Sequence, residues 1–248
     1  MCDEEIKERL LALIEDDGCY YGYLKLTHAL RRYYRLLINK KKVYRLCKEM
    51  DILSAQRPRL MKPPRKVAKS RNITGSNQLW AMDIKYGYVE GESRFFQVVS
   101  IIDVFDRSIV GYHMGLVCPS QSVLEALTSA LKARGLKKPG LVLRSDNGPQ
   151  FSSRLVREGC SKLGITQEFI PFRTPDANAH IESFHSILEK ECLADHTFQT
   201  YWEAYQAVEA YMRFYNTRRL HSACGYRPPE EYYRAKRTTA AICTAVAG

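Results

Sequence analysis

From Leu79 the sequence changes texture, and that change limits the fold more than any other feature. Leu79–Tyr88 is apolar with alternation, Phe95–Val104 reads as a buried strand, and Ile109–Met114 follows the turn Asp106-Arg107-Ser108. Three strands so closely joined form a meander. A helical pattern follows over Gln121–Arg134, then a strand over Leu141–Ser145 and a helix over Ser152–Leu163. A strand over Ile165–Ile170 and a helix over Asn178–Cys192 complete the series. The expected class is α/β, a mixed five-stranded sheet covered by helices. Tyr201–Asn216 and Pro229–Ala235 read as further helices, and the tail Thr238–Gly248 is expected to be poorly ordered.

Upstream, the pattern is helical. Ile6, Leu10, Leu13 and Ile14 recur at helical spacing over 3–16, which Asp17-Gly18 ends. Tyr23–Tyr34 reads as a second helix with Leu24, Leu26, His28 and Leu30 near its apolar side. Asn39 is a good N-cap for a third, in which Val43, Leu46 and Met50 repeat. Lys40, Lys41 and Lys42 fill its first turn against the helix dipole, a cost that nearby phosphates would offset. Three short helices with a basic third suggest a helix-turn-helix; a charged helical bundle fits the spacing equally. The expected division is a helix-turn-helix-like domain over 1–56, a basic linker over 57–75, an α/β core over 76–195 and a helical extension over 196–248.

Charge sharpens the reading. Lys and Arg exceed Asp and Glu by 38 − 27 = +11 in 248 residues. Residues 18–75 hold 16 Lys and Arg against Glu49 and Asp51, so this stretch nets +14 and the remainder −3. Tyrosines 20, 21, 23, 33, 34 and 44 are interleaved. That combination points to nucleic acid, with Lys40, Lys41, Lys42, Arg45, Arg57, Arg59, Lys62, Arg65 and Lys66 as candidate DNA contacts. No apolar run approaches the ~20 residues that span a bilayer. The eight cysteines are scattered and never form CxxC, which fits reduced thiols in a cytoplasmic protein and not a zinc site.

Three acids sit where an element begins, ends or crosses the sheet. Asp83 lies midway along the first strand, on the face with Ala81 and Lys85 and opposite Trp80, Met82, Ile84 and Tyr86. Asp146 closes the strand Leu141–Ser145 and opens the turn Asp146-Asn147-Gly148-Pro149. Glu182 lies in the first turns of the helix beginning at Asn178. Each alone has a plain explanation: Asp83 paired with Lys85 or an arginine, Asp146 serving its turn, Glu182 complementing a helix N-terminus. Asp103 reads as structural and Asp106 as a turn residue.

Together the words are specific. Asp146 and Glu182 are separated by 35 residues. Leu79-Trp80-Ala-Met-Asp83-Ile84, Ser145-Asp146-Asn-Gly148-Pro-Gln150-Phe151 and Asn178-Ala-His-Ile-Glu182-Ser183-Phe184 occur in order. Before them stand Tyr21-Gly22-Tyr23 and Asn39-Lys40-Lys-Lys-Val43-Tyr-Arg45-Leu46; after them, Tyr215-Asn216-Thr-Arg218-Arg219-Leu-His221 and Gly225-Tyr226-Arg-Pro228. From about residue 20 to 235 the chain resembles insertion-sequence transposases of the IS-three family, in their OrfB subunit, whose catalytic core is of the retroviral-integrase type. The resemblance implies an RNase H-like core and a DDE transposase, an enzyme that cleaves and joins DNA strands in transposition. It implies Asp83, Asp146 and Glu182 as catalytic and metal-holding residues.

Three carboxylates suit that chemistry, because both steps are displacements at phosphorus that two Mg²⁺ (or Mn²⁺) ions would assist. The family often has Lys or Arg seven residues after the glutamate. Here that position is Glu189, and Lys190, a further candidate DNA contact, lies about 100° around the helix. His185 reads as a surface histidine, or as one that approaches a phosphate or a metal ligand. The resemblance further implies DNA and an OrfA product as partners, a homo-oligomer on DNA, and a bacterial, nucleoid-associated location. The alternative is an inactive DNA-binding remnant or a regulator of transposition.

Overall fold

The computed structural model describes residues 2–18, 20–53, 71–137, 140–171 and 178–246, with backbone alone at 17–18 and 239–246. Two compact units emerge: Met1–Pro63 with Arg218–Pro228, and Pro64–Thr217 with Pro229–Gly248. The expected extension over 196–248 is thus divided between them. Most of it belongs to the second unit, because Ala204, Val208, Tyr211, Met212 and Tyr215 are buried in the same core as the sheet. The expected linker lies largely outside the described residues.

In the first unit, α1 (Asp3–Leu13), α2 (Tyr23–Tyr33) and α3 (Lys40–Glu49) enclose Ile6, Leu10, Leu26, Leu30, Val43, Leu46 and Cys47, with Leu220 joining them. A reciprocal cap opens α1: the Cys2 N–H donates to Glu5 Oε2 at 2.9 Å and the Glu5 N–H to Cys2 Sγ at 3.5 Å. The helix stops earlier than its periodicity suggests, because Ile14–Gly18 widens into a π turn. Leu24 is exposed; it lies about 200° around α2 from Leu26, which heads the buried stripe Leu26, Ala29, Leu30. Asn39 caps α3 as expected, its Oδ1 accepting the Lys41 N–H at 2.9 Å.

The second unit is built on β1 (Leu79–Val89), β2 (Arg94–Asp103), β3 (Ile109–Gly115), β4 (Val142–Ser145) and β5 (Thr166–Phe169). Their order is β3-β2-β1-β4-β5; the first three are antiparallel, and β4 and β5 run parallel to β1. The expected mixed sheet is therefore present. Its helices are α4 (Ser120–Arg134), the short α5 (Pro149–Ser152), α6 (Arg154–Leu163), α7 (Ala179–Leu188), α8 (Tyr201–Thr217) and α9 (Pro229–Val246). Strand alternation separates two cores. Trp80 and Met82 join residues of α4 and α6, while Leu79 and Ala81 join residues of α7 and α8.

Two further boundaries differ from the sequence reading. A π turn over Glu189–Leu193 follows α7. The tail expected to be poorly ordered continues α9 to Val246, in keeping with the helix propensity of Ala235, Ala240, Ala241 and Ala245. Among the described residues no helix is long and apolar enough to cross a membrane.

Candidate active site and DNA-binding helix

Asp83 lies on β1, and Asp146 directly follows the neighbouring parallel strand β4. Leu79, Trp80 and Ala81 of β1 pair in parallel with Val142, Leu143 and Arg144 of β4. That pairing ends with Ala81 and Arg144, and Asp83 and Asp146 each lie two residues further along their chains. Asp146 is exposed and begins a tight turn, in which its Oδ1 accepts the Gly148 N–H at 2.9 Å. Asn147 ties the same turn to β5 by donating from Nδ2 to the Ile170 carbonyl at 2.9 Å.

Glu182 arrives on α7, which buries Ile181, Phe184, His185 and Leu188 and leaves Glu182 exposed. Two contacts fasten this helix along β1. Asn178 Nδ2 donates to the Met82 carbonyl at 3.3 Å, and His185 Nδ1 lies 3.5 Å from Asp83 Oδ2. Further on, Lys85 Nζ pairs with Glu189 Oε2 at 2.7 Å. Helical spacing puts Glu182, His185 and Glu189 on one edge of α7, so the edge that carries Glu182 is the one fastened to β1.

Several sequence expectations change here. Asp83 does not pair with Lys85, because Glu189 holds that lysine; its neighbour is His185. His185 is a buried residue, 7% exposed, and its Nε2 has no hydrogen-bond partner. Asn178 was given no role by the sequence, yet its side chain is buried, with Oδ1 unpartnered. Asp103 and Asp106 are structural, as expected. Asp103 accepts from the Asn77, Phe105 and Asp106 amides and from Trp80 Nε1 at 2.6–3.2 Å. Asp106 accepts the Ser108 N–H at 2.9 Å and pairs with Arg134 at 3.0 Å.

All three candidate acids are oxygen donors, which suits a hard divalent cation. Asp146 Oδ2 makes no hydrogen bond among the described residues, so one oxygen of that carboxylate is open to a ligand. The three do not close around a single ion: among the described residues no three His, Cys, Asp or Glu side chains form such a group.

The basic candidates separate. Lys40 and Lys41 are exposed at the start of α3. Lys42 pairs with Asp3 at 2.8 Å, and Arg45 bridges Asp3 and Glu49 at 2.6 Å each. Lys190 is exposed in the π turn after α7. Arg57, Arg59, Lys62, Arg65 and Lys66 lie outside the described residues.

This architecture is that of an integrase core preceded by a helical DNA-binding module. Residues 74–175 match a family model described as integrase core domain, residues 163–229 a second model of that description, and residues 1–59 an HTH-like domain. An insertion element IS407 protein of Burkholderia multivorans is 30% identical over 96% of this chain and 84% of its own length. An insertion element IS476 protein of Xanthomonas euvesicatoria is 30% identical over 90% of this chain, which spans 64% of that relative. The transposase for insertion sequence element IS904 of Lactococcus lactis is 26% identical over 92% of this chain and 93% of its own. The chain belongs to the insertion-sequence transposase family.

Solved structures agree on the fold. A chain of the simian T-cell lymphotropic virus intasome superposes with a TM-score of 0.57 at 16% identity, over 87% of this chain and 71% of that one. The HTLV-2 integrase catalytic core domain in complex with magnesium gives 0.51 at 16% identity, over 64% and 97%.

Proposed function

We propose that this chain is the catalytic subunit of an insertion-element transposase, a polynucleotidyl transferase that cuts a DNA strand and joins its end to another. Asp83, Asp146 and Glu182 are its catalytic carboxylates. The observation that supports this reading is that Asp83 and Asp146 each lie two residues beyond the last pair of the parallel strands β1 and β4, together with the fastening of α7, which carries Glu182, along β1.

Asp83, Asp146 and Glu182 would hold Mg²⁺ (or Mn²⁺). Bound there, two such ions supply activation of the attacking oxygen and stabilisation of the leaving one. The chain's own residues do the positioning. The Gly148 amide fixes Asp146 within its turn. His185 lies against Asp83 and limits its rotation. The helical first unit carries the lysines that meet DNA phosphates. The chain acts as an oligomer on paired element ends, with an OrfA product as partner.

The test is divalent-metal-dependent nicking and joining of labelled element ends, with and without the partner subunit. Asp83→Asn, Asp146→Asn and Glu182→Gln each abolish both steps and leave duplex binding intact. Strand transfer that survives in Asp83→Asn contradicts the assignment. A wild-type chain that binds duplex and never cuts it fits the DNA-binding regulator instead.

A further inference from the structure

Helix α3 is divided lengthwise. At about 100° per residue, counted from Lys40, Val43, Leu46 and Cys47 span about 240–340° and form the buried stripe. Arg45, Glu49 and Lys42 span about 140–200°. Every one of these three is in an ion pair, Lys42 and Arg45 with Asp3 of α1, and Glu49 with Arg45 and with Lys7 of α1 at 3.3 Å. Lys40, Tyr44, Lys48 and Lys41 span the remaining 0–100° or so. They are exposed, and the ammonium groups of the three lysines make no ion pair or hydrogen bond among the described residues. This second flank contains no acid. Tyr44 stands at its middle, its ring edge-on to Tyr23 of α2 with centroids 5.1 Å apart.

We infer that the flank Lys40–Lys41–Tyr44–Lys48 is the surface of α3 that lies on duplex DNA, and that Lys42 and Arg45 hold α1 to α3 instead of meeting DNA. The assignment refines the DNA-binding reading, on which it rests. Three uncompensated ammonium groups around one ring suit a polyanion: phosphates for the lysines and a groove wall for the tyrosine. The other flank is a poor phosphate site. A phosphate approaching Lys42 or Arg45 has to displace Asp3 or be repelled by Asp3 and Glu49.

Anisotropy titrations of the full chain on a labelled mixed-sequence DNA duplex, over a salt series, test it. Each phosphate contact contributes about 0.9 to the slope of log affinity against log salt. Lys41→Ala/Lys48→Ala lowers that slope by about 2 and leaves the melting temperature unchanged. Tyr44→Ala weakens binding without changing the slope. Lys42→Ala and Arg45→Ala keep the wild-type slope and lower the melting temperature. The inference is overturned if the Lys41/Lys48 variant keeps its slope, or if Lys42→Ala or Arg45→Ala loses as much. Binding is read in the absence of metal, so failure of the catalytic assignment registers separately, in the nicking assay.

Discussion

His185 Nδ1 lies 3.5 Å from Oδ2 of Asp83, inside the seam where α7 meets β1. The ring is nearly enclosed, and Phe184 beside it packs on Tyr215 with centroids 4.9 Å apart. A carboxylate that receives metal works best when a neighbour fixes its rotamer. His185→Ala is therefore expected to raise the Mg²⁺ concentration needed for half-maximal nicking, and to lower the rate by about 10–100-fold. His185→Asn, which keeps a donor, recovers part of the loss. A Mg²⁺ titration of nicking with all three proteins checks this; identical titration midpoints would reduce His185 to packing.

Asp103 provides the contrast, an acid whose place is in the fold. It is fully buried beneath Trp80, with four N–H groups directed at it. Burial and the neighbouring Asp106 push its carboxyl above the ordinary value, against those hydrogen bonds. Asp103→Ala strands the donors, and a loss of about 3–5 kcal/mol is expected in urea unfolding. Asp83→Asn, at a partly open position, moves the same curve far less.

The α1–α3 seam is pH-sensitive. Hydrogen bonds from Lys42 and then Arg45 hold the Asp3 carboxyl down at about 2. A lowered folded value means that the seam is fully stabilised above the ordinary carboxylate range, near 4, and loses that contribution as pH falls toward 2. Chemical-denaturation midpoints of wild type and Asp3→Asn should differ at pH 7 and converge at pH 2. A constant difference across that range would remove Asp3 from the account.

Thiol chemistry separates the cysteines. Burial pushes the thiols of Cys47 and Cys160 up to about 11 and that of Cys192 to about 12. Cys2 is exposed. In the native protein Cys2 reacts with a disulfide reagent at neutral pH, and Cys47, Cys160 and Cys192 react only on unfolding. Peptide mapping of the labelled sites reads the outcome.

What the sequence reveals here is mostly local. Alternation from Leu79 to Met114 predicts three strands, and the structure has them within a residue or two. Capping chemistry predicts the start of α3 at Asn39. Position alone leaves each of the three acids a plain structural explanation, and the family resemblance is what singles them out. Pairings across long separations are not legible. Nothing in the local sequence ties Asp3 to Arg45, or Lys85 to Glu189, because such ion pairs depend on how whole helices dock. His185 fails for the same reason: periodicity shows that it shares an edge with Glu182, and only the packing of α7 on β1 decides that this edge is enclosed.

The π turn over Glu189–Leu193 bears on how this helix can be altered. Its extra backbone spacing rephases whatever follows, so an ordinary helical wheel drawn from Glu182 misplaces the residues beyond Leu193. Removing one residue from the second half of the turn would restore regular winding and rephase the chain beyond Leu193, while Glu182 on α7 stayed in place. Indels there are a steering adjustment for the segment that leads into α8, independent of α7 upstream.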